Sequence, residues 1–426
     1  MAPQGDRWSQ EGWRNMRNVC FVLVFYIFAA VMVSSAQTFT SVVSFDYTNG
    51  SALWNPLVQA TNGNLYGTTN QGGANSTGDG TVFEYDPLTG DLTSLYSFCS
   101  ETNCADGSRP NGGLVQATNG NLYGTTSYGG ANCQGEEIVG CGTVFEVTPS
   151  GTVNTIYSFC SKPNCGDGAY PMAGLVQASN GNLYGTTYKG GKADVGAVFE
   201  ITPTGTLTTL YSFCSQTNCT DGEYPVTPLI QAANGVLYGT TAWGGTSDDG
   251  TAFKITQKGK LATLHSFDGT DGRLLEAGLV QATNKEFYGT AVYGGANDEG
   301  TVFEMTAAGK VTTLYSFCSQ TNCTDGKTPQ AGLVQGANGN LYGTTSQGGA
   351  NNSGFYCDSQ GCGTIFEITS KGKFKFTSLY SFCSQANCAD GVTPQAAMVP
   401  ATNGSLYGPT SFGGAYNSGS LFSVTF

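Results

Sequence analysis

GNLYGTTSYGG, residues 120–130, carries four glycines and ends in a diglycine of the kind that can cradle a ligand or simply turn the chain. The stretch decides the fold because it is not alone. LYGTT stands at 65–69, 122–126, 183–187, 237–241 and 341–345, with FYGTA at 287–291 and LYGPT at 406–410. Seven copies at intervals of 50 to 65 residues mark one supersecondary unit repeated along the 426-residue chain.

Each unit offers four short strands. In the second copy they are GLVQA (113–117), NLYGTTSY (121–128), GTVFEVT (142–148) and TVNTIYSF (152–159). TNG separates the first two and PSG the last two, both tight-turn sequences. Four antiparallel strands per unit, 62 glycines and few charges describe an all-β protein, with each unit one propeller blade. The two ends of the array then decide closure. TFTSVVSF (38–45) aligns with the fourth strand of a unit, and GSLFSVTF (419–426) aligns with the third. The last unit lacks the strand that the first segment supplies, so the expectation is a seven-bladed β-propeller closed by pairing the N-terminal strand into the C-terminal blade. Closure should remove the exposed edges of an open sheet. A β-solenoid, the competing architecture, would need no complementary ends.

Residues 1–36 read differently. Arg7, Arg14 and Arg17 precede the apolar run VCFVLVFYIFAAVMV (19–33), followed by Ser34, Ser35 and Ala36. This is the pattern of a secretory signal cleaved after Ala36, and fifteen apolar residues are short for a bilayer span. The domain reading is therefore a leader at 1–36 and one propeller at 37–426, secreted or otherwise extracytoplasmic, monomeric and without a stable membrane span.

Export explains the cysteines. Apart from Cys20 in the leader there are fourteen, and they pair locally: Cys99–Cys104, Cys160–Cys165, Cys214–Cys219, Cys318–Cys323 and Cys383–Cys388 in the pattern C-S-x-x-N-C, plus Cys133–Cys141 and Cys357–Cys362. Where the neighbours read SFCSQTNCTDG, residues 266–275 read SFDGTDGRLL, and both cysteines are missing together, as bonded partners would be. With one histidine, His265, and cysteine pairs scattered along the whole length, disulfides in an oxidising compartment rather than zinc are the expectation, and no metal or cofactor is called for. With 30 acidic residues against 17 basic ones, no basic patch is available for nucleic acid.

Residues present in every copy serve every blade. The seven LYG tyrosines, the SF phenylalanines such as Phe98 and Phe159, and the VFE phenylalanines such as Phe145 and Phe199 should fill the space between blades. The glycine after each tyrosine should let backbones approach closely. Gln59, Gln116, Gln177, Gln231, Gln281 and Gln335 should line a polar tunnel or cross-link blades. The D-G steps at Asp106, Asp167, Asp221, Asp271, Asp325 and Asp390 should form turns rather than calcium sites.

Function should sit where the copies differ. The loops after strands two and four share one face, are long and variable, and hold every cysteine outside the leader. Just before each diglycine stand Gln71, Tyr128, Lys189, Trp243, Tyr293, Gln347 and Phe412, four of them aromatic. This candidate rim suits stacking on sugar faces with hydrogen bonds to hydroxyls, and equally a protein hot spot.

The diglycine after the second strand resembles kelch-type propellers, although Tyr-Ser-Phe or His-Ser-Phe replaces the fourth-strand tryptophan. A nearer resemblance is to the GloVer tandem-repeat proteins of bacteria, whose units run G-x-L-Y-G-T-T-x-x-G-G…G-T-V-F-E-x-T…L-Y-S-F and which all seven units here match. That resemblance implies an exported repeat propeller and names no reaction. His265 alone cannot supply a two-histidine copper site, and Arg109 and Arg273 are too few for a sialidase-like three-arginine clamp. A catalytic site would have to use loop acids such as Asp248/Asp249 or Asp298/Glu299. The expectation is a non-enzymatic binding or interaction propeller for a glycan or extracellular protein. The alternatives are a carbohydrate-active enzyme, glycosidase or lyase, on the same face, and a purely structural envelope or matrix protein.

Overall fold

Seven four-stranded antiparallel sheets follow one another around a central axis in a computed structural model that describes residues 37–75, 77–132, 140–351, 357, 360–369 and 374–426. The leader expected at 1–36 lies outside the described residues. In the second blade the strands are Val115–Gln116, Leu122–Thr126, Thr143–Val147 and Val153–Ser158, and the other blades repeat this plan. The seventh sheet is composite: Thr38–Ser44 pairs with Ser420–Thr425, followed by Leu406–Thr410 and Val399–Pro400. The N-terminal strand therefore closes the ring, and residues Phe39–Thr425 cluster as one unit.

Two expectations change in detail. The first strand shrinks from five residues to two, because the inner strands converge on the axis. A Cβ placed on Gly113 would fall 3.0 Å from Pro56 of the preceding blade. Closure also does not abolish edges, since each sheet still ends in an outer strand paired on one side only. That outer strand is bent by a register shift opposite it, between Val144 and Phe145 in the second blade and at the matching step in five others.

The core sits at the seams. Tyr123 and Phe159 of the second blade pack with Leu183, Phe199 and Ile201 of the third, and each of the other six seams has its counterpart cluster. At every seam the SF phenylalanine meets the VFE phenylalanine of the next blade edge-on or tilted, as in Phe98–Phe145 at 5.0 Å and Phe159–Phe199 at 5.2 Å between ring centroids. The N-terminal strand takes part on both sides. Phe39 stacks on Tyr380 of the sixth blade at 3.8 Å, and Phe45 meets Phe83 of the first at 5.0 Å.

The LYG glycine has a different use from the one its type suggests. A Cβ on Gly124 would lie 2.6 Å from the Phe145 ring and 2.8 Å from Leu114, so the missing side chain admits an aromatic ring of the same blade rather than a neighbouring backbone. The tyrosine hydroxyls are bonded as well as packed. Tyr123 Oη donates to Glu146 at 2.7 Å and accepts from Asn119 at 2.8 Å.

The repeated glutamines cross-link blades. Gln116 Oε1 accepts from the Thr61 N–H of the preceding blade at 2.8 Å, while its Nε2 donates to Gly120 O at 3.0 Å. The same clamp links five more pairs, including the closing seam, where Thr402 N–H donates to Gln59 Oε1 at 2.9 Å. Between the sixth and seventh blades Pro400 stands in the glutamine position and the clamp is absent.

Candidate ligand-binding face

The loop-bearing face is built on the second threonine of LYGTT. Thr126 is buried, shares a hydrogen bond with Thr143 Oγ1 at 2.8 Å, and donates to the carbonyl of Tyr128 at 2.8 Å. The same bond fixes Gln71, Lys189, Trp243, Gln347 and Phe412, whereas Ala291 replaces the threonine before Tyr293. Each rim residue also bridges the segment that leads into its own blade: Tyr128 pairs with Ser108, Trp243 with Glu223 and Tyr293 with Arg273. The diglycine that follows is a forced turn. Gly129 has φ of +76°, and a Cβ there would sit 2.5 Å from Gly107 Cα.

The rim residues differ in what surrounds them. Trp243 is 41% exposed, Gln71 is exposed, and the other five are half-buried. Cations sit over their rings: Arg109 lies 5.5 Å from the Tyr128 centroid and Arg273 lies 4.9 Å from that of Tyr293. Lys189 reaches over Tyr224 at 4.8 Å, and Tyr224 in turn packs on Tyr188 at 4.9 Å. Aromatic and cationic groups thus run along blades two to five. The loops expose two further rings that the repeat pattern does not single out, Tyr47 at 49% and Tyr416 at 65%.

The acids proposed for catalysis hold the loops. Asp248 Oδ1 accepts from Gly244 N–H at 2.9 Å. Asp298 accepts from Gly294 N–H at 3.0 Å and takes both nitrogens of the Arg273 fork at 3.0 and 2.9 Å, which keeps its carboxyl below the usual range. Glu299 lies 3.7 Å from Lys327 Nζ. Beside Trp243, burial raises the Glu223 carboxyl, with Asp248 adding to it; burial likewise raises that of Asp249, against the pull of Arg273.

The D-G aspartates are buried anchors for the disulfide loops. Asp167 Oδ2 accepts from Tyr157 Oη at 2.8 Å and from the N–H and hydroxyl of Ser161 at 3.0 Å each, and Oδ1 accepts from Lys162 N–H at 3.1 Å. The Cys160–Cys165 bond closes the same loop, and the four other C-S-x-x-N-C pairs and Cys357–Cys362 are also bonded. Cys141 is disulfide-bonded, and its expected partner Cys133 lies outside the described residues. In the loop after the fourth blade, which lacks cysteines, His265 Nε2 meets Asp271 Oδ2 at 2.6 Å in place of the tyrosine.

The central channel opens among these loops. Its cavity of about 650 Å³ is lined by all seven blades, with Phe412 of the rim on its wall. Its most variable lining comes from one repeat position, five residues before the clamp glutamine: Trp54, Asn111, Met172, Val226, Glu276, Gln330 and Gln395. All seven are half-buried. Sequence reasoning missed this ring although the signal was present, since the residue after the recurrent proline differs between almost all copies. Variability alone does not place it on the axis, because the two-residue inner strand that follows is too short to show which residues face inward.

These features match one repeat family along the chain: the Gloeobacter/Verrucomicrobia repeat aligns with residues 27–162, 135–357 and 287–426. The protein belongs to the Gloeobacter/Verrucomicrobia repeat family. No curated protein matches the sequence. In structure this family member is similar to the extracellular domain assigned to a hybrid two-component system of B. thetaiotaomicron, at 11% identity and a TM-score of 0.56. The alignment covers 90% of this chain and 39% of that one. It is also similar to an oligogalacturonate lyase in complex with manganese, at 10% identity and a TM-score of 0.52, covering 92% of this chain and 94% of the lyase. A third likeness is to a protein assigned as a 6-phosphogluconolactonase from Bacteroides uniformis, at 12% identity and a TM-score of 0.50, covering 81% and 89%. At such identities the likeness shows the propeller fold alone. Among the described residues, no helix is long and apolar enough to cross a membrane.

Proposed function

We propose that this repeat protein is an extracytoplasmic binding propeller whose loop face engages a glycan, exported by the leader at 1–36 and acting as a monomer. The observation that carries the reading is the contrast between near-identical blades and the surface they present. Trp243, Tyr47 and Tyr416 are exposed on the loops of one face, beside Tyr128 and Tyr293 with their arginines. The turns of the opposite face are short and mostly polar, with Leu88 exposed in one of them. Aromatic faces flanked by fixed hydrogen-bonding groups suit the apolar face and polar edge of a sugar ring. The disulfides on these loops, six of them between described residues, fit an oxidising compartment. The enzyme alternative finds less support, because three of the four loop acids considered for it, Asp248, Asp298 and Glu299, are engaged by backbone amides or cations, which leaves Asp249.

Glycan-array binding by the wild-type protein, Trp243→Ala and Tyr293→Ala tests the reading. Saturable binding that weakens about tenfold or more in either variant, equivalent to about 1.4 kcal/mol, is the expected result. Absence of binding to any glycan would remove the glycan reading, and a protein partner lost with Trp243→Ala would replace it. Polysaccharide turnover abolished by Asp249→Asn would replace it with the enzyme.

A further inference from the structure

We infer that the mouth of the central channel is a second binding site, adjoining the aromatic rim at Phe412, for a small polyhydroxylated ligand that carries no negative charge. The cavity of about 650 Å³ falls within the range of ligand pockets, roughly 300–1,000 Å³. Its defining feature is broken symmetry. Blades that repeat LYGTT almost unchanged place Trp, Asn, Met, Val, Glu, Gln and Gln at one channel position. A sevenfold packing requirement would favour one residue type there; a ligand without sevenfold symmetry requires different ones.

The polar half of the ring is organised. Ser411 Oγ donates to Gln395 Oε1 at 2.7 Å, Gln395 Nε2 donates to Gln330 Oε1 at 3.0 Å, and Gln330 Nε2 donates to Glu276 Oε2 at 3.0 Å. The chain runs in one direction across three blades and ends on a carboxylate, which fixes both amides and leaves Glu276 Oε1 as an acceptor. On the first two blades the available donor is the Asn111 amide, whereas Trp54 offers the cavity its ring and not its N–H. Trp54 Nε1 is buried without a hydrogen-bond partner. Asn111 accepts from Asn70 Nδ2 through Oδ1 at 3.0 Å, which turns its own amide nitrogen to other use. Between these two arcs Met172, Val226 and Pro228 form an apolar wall. An acceptor on Glu276, a donor on Asn111, and an apolar wall with the Trp54 ring around one cavity match a saccharide ring, with hydroxyls at its edge and C–H groups on its face.

Charge sets the specificity. Glu276 is the one carboxylate among the described lining residues, and no lysine or arginine lines the cavity beside it. An acidic sugar or a phosphate ester would meet a like charge with no compensating cation. A neutral sugar can donate hydroxyls to Glu276, and an amino sugar can place its ammonium there.

The two tryptophans of the propeller report on the two sites separately, Trp54 at the channel and Trp243 at the rim. Indole emission of the chain from residue 37, without Trp8 and Trp13 of the leader, is titrated with maltose, glucosamine and glucuronate, in the wild type, Trp54→Phe, Trp243→Phe and Glu276→Gln. Unchanged thermal unfolding establishes that each variant is folded. The expected result is a saturable change with maltose or glucosamine that is lost in Trp54→Phe, persists in Trp243→Phe, and weakens about tenfold in Glu276→Gln, or about 1.4 kcal/mol. Glucuronate should bind at least about tenfold more weakly to the wild type and lose that handicap in Glu276→Gln. Preferred binding of glucuronate, a signal that follows Trp243, or no saturable change with any of the three sugars would overturn the inference. Rim binding on the array is read through Trp243 and Tyr293, so either site can fail without the other.

Discussion

Replacing Gln116 with alanine removes both bonds of an interblade clamp, the Thr61 N–H to Oε1 bond at 2.8 Å and the Nε2 to Gly120 O bond at 3.0 Å. Each intramolecular hydrogen bond contributes about 0.5–1.5 kcal/mol net, and partial solvent access puts these in the lower half, so the expected loss is about 1–2 kcal/mol. The sixth and seventh blades provide the reverse experiment. Pro400→Gln can donate to Gly404 O and accept from the exposed Ala337 N–H, restoring the missing clamp. Against that gain stands about 0.4–1 kcal/mol lost by freeing the unfolded chain from proline, so Pro400→Gln should be neutral to about 1 kcal/mol stabilising. Equilibrium denaturation reads both changes as shifts of midpoint at constant m-value. A loss below about 0.5 kcal/mol for Gln116→Ala, the range of an ordinary surface substitution, would refute the clamp as a stabilising element.

Gly124→Ala should cost about 1–3 kcal/mol by overpacking against the Phe145 ring 2.6 Å away, and Phe145→Leu in the same chain should recover part of that loss, measured as a coupling in a double-mutant cycle. Asp167→Ala strands the N–H groups of Ser161 and Lys162 and should cost at least about 2 kcal/mol by the same denaturation assay. Nine tyrosines, among them Tyr66, Tyr123, Tyr184 and Tyr342, are pushed up to about 12, chiefly by burial and further by hydrogen-bonded carboxylates. A raised folded-state value favours the protonated phenol, so their contribution is complete below the ordinary value of about 10 and is lost as pH climbs from there toward 12. Unfolding followed by circular dichroism should therefore show a steep alkaline transition in that window, and Tyr123→Phe should soften it.

The blades were legible because repetition separates shared needs from local ones: a residue type kept in all seven units, such as Tyr123 or Phe159, has to serve packing. Closure was legible from the strand count at the two ends. The purpose of Gly124 was not, because backbone approach and ring accommodation leave the same glycine, and only the register opposite Phe145 separates them. Gln116 was read as tunnel lining or cross-link for a similar reason, since Thr61 is 55 residues away in sequence. On the loop face, the rim positions followed from the diglycine, but the cations over Tyr128 and Tyr293 did not, because Arg109 and Arg273 arrive from the preceding connection. The channel ring depends on which residues face the axis, and that direction is set by two-residue inner strands too short to show alternation.

Hydrogen–deuterium exchange of the protein with and without a glycan selected on the array tests the central claim most directly, because it maps binding over both faces at once. The account predicts new protection confined to the segments around Tyr128, Trp243 and Tyr293, with none in the opposite turns such as 118–121 and 148–152. Protection centred on those turns, or spread evenly over all seven blades, would contradict it.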